Sequence, residues 1–205
     1  MTDTTTTTLA HDLPHPEGFT QEHLGWVPHL APFPIDELTE RHFAGLVDRS
    51  RADSDYFRLL VRDPEILAAR TRTDKDIFYN VADGLPRAER ELAAAAASRV
   101  NGCVFCASVH SRFASHYSKR EADVQRLLDE GVGADLGERW NAIVEAATAI
   151  TTTPFAFTGA HVARLRAAGL SDAEISDVIH GAAFFNWANR LMLSLGRATP
   201  PPLVR

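Results

Sequence analysis

The amino-acid sequence predicts an all-α fold, and three observations carry that prediction. Strong helix formers are gathered into segments with recognisable starts and stops, the clearest being the run from Pro86 to Arg99 with alanine at 93–97. Capping signals recur: Asp63-Pro64 and Ser171-Asp-Ala-Glu174 open segments, while Gly131 and Gly169 close them. Strand patterning is missing, because the β-branched residues 151–153 form too short a run and meet Pro154.

Taken in order, residues 1–18 hold five consecutive threonines at 4–8, then Pro14 and Pro16, with almost nothing to bury, and read as a flexible tail. Residues 19–205 read as a single all-α domain, and the chain's 45% hydrophobic content suffices for one sizeable core or two associated helical layers. Its first stretch, 19–34, alternates Phe19, Trp26 and Phe33 with Pro28, Pro32 and Pro34, as an extended arm laid across the core or a neighbouring subunit would. Helices are predicted over 35–49, 55–61 and 64–79. The next begins at Pro86 and is stopped by Asn101-Gly102, two residues that accept the left-handed conformation. Further helices follow over 103–117, 119–130, 136–151, 158–168 and 172–195, bounded by the caps and breakers already named.

Chemistry is concentrated at 91–110, which holds both cysteines of the chain, Cys103 and Cys106, with His110 four residues beyond. A Cys-x-x-Cys pair can cycle between dithiol and disulfide. On a helix starting at Cys103, Cys106 lies about 60° and His110 about 20° from Cys103 around the axis, so all three share a face. In a hairpin centred on Gly102, Glu91 (eleven positions before) falls level with His110 (eight after), which would set a carboxylate on one ring nitrogen and leave the other for a thiol. Alanines at 93–97 would allow the close approach. Each member also has a plainer reading: a buried small hydrophobe for either cysteine, a core histidine, a solvated glutamate. Zinc is the main rival for the thiols, but a structural site needs four ligands, and His116 lies nearly opposite His110 on a helix. The residues alone leave the nucleophile open. The helix macrodipole favours a thiolate on Cys103, whereas His110 is nearer Cys106.

These four residues form the pattern Glu-x11-Cys-x2-Cys-x3-His, which resembles the signature of the alkylhydroperoxidase D-like proteins within the carboxymuconolactone decarboxylase superfamily. Phe-Arg-Leu-Leu at 57–60 and the segment 184–196 (Phe-Phe-Asn-Trp-Ala-Asn-Arg-Leu-Met-Leu-Ser-Leu-Gly) resemble its longer peroxidase-related branch. The best-known members carry a histidine between the cysteines; this chain has Val104-Phe105. The resemblance implies an alkylhydroperoxidase D-like helical bundle, homo-oligomeric assembly, and thiol peroxidase or disulfide reductase activity. Carried onto this chain, it makes Cys106 the peroxidatic thiol, Cys103 the resolving thiol, and His110 with Glu91 the proton relay. An external dithiol or protein reductant would reopen the disulfide. Two alternatives stand beside it: a non-redox decarboxylase-like enzyme of the same superfamily, and a disulfide redox sensor without turnover.

The remaining observations bound the partners. A net charge of −6 and a pI near 5.8 argue against nucleic acid. Charged residues interrupt every apolar run, so no membrane span is predicted, and the N-terminus lacks the pattern of a secretory signal. Two exchange-ready cysteines suit a reducing cytoplasm. No glycine-rich phosphate loop, nucleophilic serine motif or metal-ligand spacing occurs, so no cofactor and no metal are expected. Of the other polar residues, His180 reads as partly buried, with a place in the site wall as its alternative. Asn186, Trp187, Asn189 and Arg190 read as hydrogen-bonded across a subunit contact rather than catalytic. Tyr117 continues the cysteine face and reads as a pocket wall.

Overall fold

A computed structural model describes residues 14–80 and 82–201. Most of the predicted tail, residues 1–13, lies outside the described residues, and 14–18 form no regular element. The fold class is all-α, as the sequence predicts. The helices are α1 (Glu40–Leu46), α2 (Asp55–Leu60), α3 (Pro64–Tyr79), α4 (Arg87–Asn101), α5 (Val104–Ser118), α6 (Glu121–Glu130), α7 (Glu138–Thr151), α8 (Gly159–Ala167) and α9 (Asp172–Leu195).

Their ends follow from local chemistry. Asp63 caps α3 by accepting from the Ile66 N–H at 3.1 Å, with Pro64 in the first turn, where its missing N–H costs nothing. Ser171 and Glu174 form the reciprocal capping box of α9: the Ser171 N–H donates to Glu174 Oε2 at 2.7 Å, and the Glu174 N–H donates to Ser171 Oγ at 3.3 Å. Gly102 closes α4 in the left-handed conformation, φ 74°. The Cys103 N–H then reaches the Ser98 carbonyl and the Gly102 N–H the Arg99 carbonyl, which is the Schellman pattern.

Two predictions are corrected. Residues 35–49 are not one helix. A 3-10 turn at Ile35–Glu37 breaks at Leu38, and Thr39 with His42 forms a fresh capping box for α1. That helix ends at Val47, and Asp48 caps a second 3-10 segment, Arg49–Asp53, through the Ser50 N–H. Closely spaced Thr39 and Asp48 offer the backbone partners that a continuous helix would not use. The second correction is a short antiparallel ladder, β1 (Gly25–Pro28) with β2 (Gly196–Thr199), pairing Trp26 with Ala198. Both strands are only four residues long, each begins with glycine and β1 ends in proline, so neither carries a run of β-formers that the sequence would reveal. Gly196 is required there by space. A Cβ would lie 2.2 Å from the Trp26 ring and 2.4 Å from the Val27 carbonyl oxygen, so only glycine lets β1 close against the end of α9.

Helix α4 is the axis of the molecule and packs against α5, α7 and α9. Ala93–Ala97 are all fully buried, and their small side chains set the close spacing. Around them Leu92, Ile143, Leu165, Val178 and Ala182 form the main core. Arg90 fastens the 77–85 segment to α4 and α9. Its guanidinium donates to the carbonyls of Leu85 (2.5 Å), Ile77 (2.8 Å) and Asp83 (2.8 Å) and pairs with Asp177 at 2.9 Å.

The arm lies across this chain's own helices. Phe19 sits under Arg99 at 4.2 Å, Gln21 bonds Gln125 on α6 and Ser115 on α5, and the Glu22 carbonyl accepts from Arg112 at 2.7 Å. Among the described residues, no helix is long and apolar enough to cross a membrane.

Candidate active site

The turn at Gly102 folds α5 back along α4 and brings Glu91 onto His110. Nδ1 of His110 lies 2.6 Å from Glu91 Oε2, with Glu91 1% and His110 8% exposed. A carboxylate only accepts, so Nδ1 carries the proton and Nε2 presents its lone pair. The other carboxylate oxygen accepts from Arg87 Nε at 2.6 Å, one helical turn away. Arg87 is held in turn by the Phe78 carbonyl and by the face of Tyr79 at 4.3 Å. The imidazole is clamped between Phe78, stacked at 5.3 Å, and Phe185, edge-on at 4.0 Å. Ring orientation and tautomer are thus set by partners from three helices.

Both cysteines are free thiols and buried, Cys103 at the cap of α5 and Cys106 in its first turn. The Cys106 thiol and backbone N–H, with the Asn189 side chain, favour a thiolate on Cys103 and hold its pKa below the ordinary thiol value against the upward pull of burial. Cys106 moves the other way, well above the ordinary value, because it serves as hydrogen-bond donor to Cys103 and because it is buried. Once the pair loses its first proton the two sulfurs share the other, so the first ionisation belongs to the pair. Asn189, fully buried on α9, stands behind both. It donates to Ser98 Oγ at 3.0 Å and accepts from Asn101 Nδ2 at 3.1 Å.

Access separates what the shared proton joins. Cys106, His110 and Glu91 line a cavity of about 520 Å³ whose walls include Trp26, Tyr56, Phe57, Phe78, Phe105, Phe113 and Phe185. Cys103 instead borders a separate space of about 30 Å³ beneath the β1–β2 ribbon. Burial pushes the Tyr56 hydroxyl on the cavity wall up to about 12, so it stays a protonated donor at neutral pH. Arg70, from α3, completes that wall.

All four residues of the sequence signature are therefore brought together. Others fall elsewhere. His180 is exposed, because α9 turns Val178 and Ala182 inward and His180 out. Tyr117 is 48% exposed and stacks on the Arg87 guanidinium at 5.2 Å, outside the cavity wall. Asn189 bonds within this chain, and so does Asn186, which accepts from Asn101 Nδ2 at 3.2 Å. Trp187 and Arg190 are exposed. Sequence reasoning missed Tyr56, Arg70 and the position of Asn189 behind the thiols. The one signal for Asn189 was its polarity within an apolar helix. Among the described residues, no group of three or more His, Cys, Asp or Glu side chains is gathered to hold a metal ion.

Residues 64–149, from the start of α3 through most of α7, match the profile of the Carboxymuconolactone decarboxylase family. No curated protein matches the chain in sequence. Solved structures share its fold. A peroxidase-related protein of Ralstonia eutropha JMP134 with an alkylhydroperoxidase AhpD core superposes with a TM-score of 0.66 at 20% identity, covering 80% of this chain and 90% of that one. A peroxidase-related protein of Silicibacter sp. TM1040 gives 0.62 at 21% identity over 87% and 92%. The debrominase Bmp8 gives 0.63 at 19% identity over 80% and 88%; a cysteine-to-alanine variant of it has been solved with 2,3,4-tribromopyrrole. Residues 64–149 thus carry the profile of the carboxymuconolactone decarboxylase family, and the chain as a whole has an alkylhydroperoxidase D-like helical fold.

Proposed function

We propose that this protein is a thiol peroxidase that reduces organic hydroperoxides through Cys106 and Cys103. One observation carries the reading: Cys106 opens into the same cavity as an imidazole whose tautomer is set by a buried carboxylate. Nε2 of His110 takes the Cys106 proton, and the thiolate attacks the terminal peroxide oxygen. The O–O bond breaks, and the leaving alkoxide takes the proton from the imidazolium, giving an alcohol and a Cys106 sulfenic acid. Cys103 then attacks that sulfenic sulfur, the departing hydroxide takes the Cys103 proton or one from solvent to leave as water, and the disulfide that closes is reopened by an external dithiol. The lowered pKa of Cys103 suits this second step, since Cys103 lies away from the cavity and meets Cys106 rather than substrate. A cavity of about 520 Å³ with aromatic walls fits a bulky apolar hydroperoxide better than hydrogen peroxide, which would leave most of it empty. No prosthetic group enters these steps.

Stopped-flow oxidation of wild type, Cys106→Ser and His110→Ala by cumene hydroperoxide and by hydrogen peroxide tests the reading. Wild type should react fastest and prefer cumene hydroperoxide, then turn over with a dithiol. Equal rates in all three proteins overturn the reading, and oxidation without turnover makes the pair a sensor switch instead.

A second reading shares the same groups. Because the debrominase Bmp8 has this fold and the cavity wall is aromatic, the dithiol could deliver two electrons to a halogenated aromatic ring, yielding the dehalogenated ring, halide, a proton and the disulfide. Release of bromide from 2,3,4-tribromopyrrole, with no reaction toward cumene hydroperoxide, would favour it.

A further inference from the structure

The two arginines lining the cavity are held in opposite ways. Arg87 has acceptors for its N–H groups in Glu91 and the Phe78 carbonyl. Arg70 has a side chain only 9% exposed, and its ion-pair partner Asp74 stands 3.6 Å from Nη1, beyond hydrogen-bond length. Nε and Nη1 of Arg70 are buried with no hydrogen-bond partner. Its other neighbours are the rings of Phe57 at 5.8 Å and Phe184 at 5.5 Å and the Tyr56 hydroxyl, which is hydrogen-bonded to the guanidinium but leaves Nε and Nη1 unmet. Leaving a buried charged donor unmet is costly, so its place in a substrate-sized space calls for an acceptor that arrives from outside.

Arg70 lines the same cavity as Cys106 and Tyr56, and its charge acts on both. Neither residue between the cysteines, Val104 or Phe105, carries a polar side chain that could take this part. The groups around Cys106 come from each packed element: Tyr56 from α2, Arg70 and Asp74 from α3, Glu91 and Arg87 from α4, Cys103 and His110 from α5, and Asn189 from α9. Asp53 and Asp55 line the same cavity. With that many carboxylates, the cavity holds no general excess of positive charge. What Arg70 adds is a pair of directed donors.

We propose that Arg70 is a further catalytic residue of the peroxidase reaction, its unpaired N–H groups binding the peroxide and holding the negative charge that grows on the departing oxygen. The assignment rests on the thiol peroxidase reading. As the S–O bond forms and the O–O bond breaks, the electron pair of the O–O bond goes to the alkoxide. Arg70 stabilises that alkoxide until His110 returns the proton taken from Cys106, and the guanidinium keeps its own charge throughout.

The test uses the full chain as wild type, Arg70→Met and Arg70→Lys, each also in a Cys103→Ser background. Oxidation by cumene hydroperoxide is measured across pH beside alkylation of Cys106 by iodoacetamide, a reaction that generates no oxyanion. Arg70→Met should slow oxidation by about 10²-fold, the effect of removing one oxyanion donor, while alkylation above the thiol pKa falls less than tenfold. Arg70→Lys should recover part of the oxidation rate. If Arg70→Met oxidises like wild type, or loses both reactions equally with no recovery in Arg70→Lys, the assignment is overturned. A wild type that reacts with cumene hydroperoxide no faster than free cysteine removes the peroxidase reading itself, and Arg70's role with it; a fast wild type with an equally fast Arg70→Met removes Arg70 alone.

Discussion

Glu89 and Glu91 stand two residues apart on α4, and both are buried and bound to arginine, yet they belong to different kinds of structure. Two positions on a helix turn the side chain by about 200°, so the pair faces opposite sides. Glu89 accepts two bonds from Arg139, Nε at 2.9 Å and Nη2 at 2.8 Å, and Arg139 also reaches Glu174 at 2.7 Å. That cluster ties α4 to α7 and α9. Glu91 has Arg87 on one oxygen and His110 on the other, and the imidazole opens into the cavity beside Cys106. Burial and ion pairing alone therefore do not mark a reacting group in this molecule. The distinguishing feature is a partner with a second, uncommitted nitrogen facing space that a substrate can fill.

Glu91→Gln should break the functional member of the pair. The amide can still accept from Arg87, but its NH2 group can donate to Nδ1 and turn the imidazole to the tautomer whose Nε2 carries a proton. The Cys106 proton then has no acceptor, and kcat/KM for cumene hydroperoxide should fall by about 10²–10⁴-fold, the usual worth of a positioned general base. The urea midpoint should also fall, because Arg87 is left facing a neutral amide in a more buried pair than Arg139 and Glu89, so the rate is read where the variant is folded. Glu91→Ala is a poorer probe, since it strands two buried donors and should unfold the protein before it informs on chemistry.

Glu89→Gln should lose stability without losing turnover. It leaves Arg139 facing a neutral amide and should cost about 1–3 kcal/mol, read as a lower urea midpoint with an unchanged slope. The lower part of that range is expected, because Arg139 is itself 32% exposed and keeps Glu174. Peroxide turnover at a temperature where both proteins are folded should stay within about twofold, the scatter of an uninvolved surface or core site. A large loss of kcat/KM in Glu89→Gln would erase the contrast between the two glutamates.

The contrast was half legible in the sequence, and the half that was follows from locality. Glu91, His110 and both cysteines lie on either side of one glycine turn, so counting eleven back and eight forward along two helices suffices to pair them. The helix ends were legible for the same reason, as Asp63, Gly102 and the Ser171–Glu174 box act on their own neighbours. What was illegible depends on distant packing. Arg139 and Glu174 become the partners of Glu89 only once α7 and α9 pack on α4. Arg70 enters the cavity wall from α3, and Asn189 comes behind the thiols from α9. The β1–β2 ladder joins the two extremes of the described chain through strands too short to carry a pattern. Trp26 reaches the Tyr56 ring, edge-on at 5.7 Å, through that ladder alone.

The smallest effect probes the Glu89 cluster from its outer edge. Ser171 accepts from the Glu174 N–H, and Glu174 returns a bond to the Ser171 N–H while holding Arg139. Burial would raise the Glu174 pKa, but the Ser171 backbone, Arg139 and the Ser171 hydroxyl outweigh it, and the value falls below the ordinary one. A depressed folded-state pKa stabilises the fold above the unfolded value, and that contribution is lost as pH falls through the folded one. Ser171→Ala removes the cap and one of those supports, so it should cost about 1 kcal/mol at neutral pH, with a smaller difference from wild type once Glu174 is protonated in both. Urea midpoints at neutral and acidic pH measure both numbers. Turnover should be unchanged, because the cap touches nothing in the cavity. If Ser171→Ala lowered kcat/KM as Glu91→Gln should, the two faces of α4 would be mechanically coupled, and Glu89 would have to be counted as support for its neighbour.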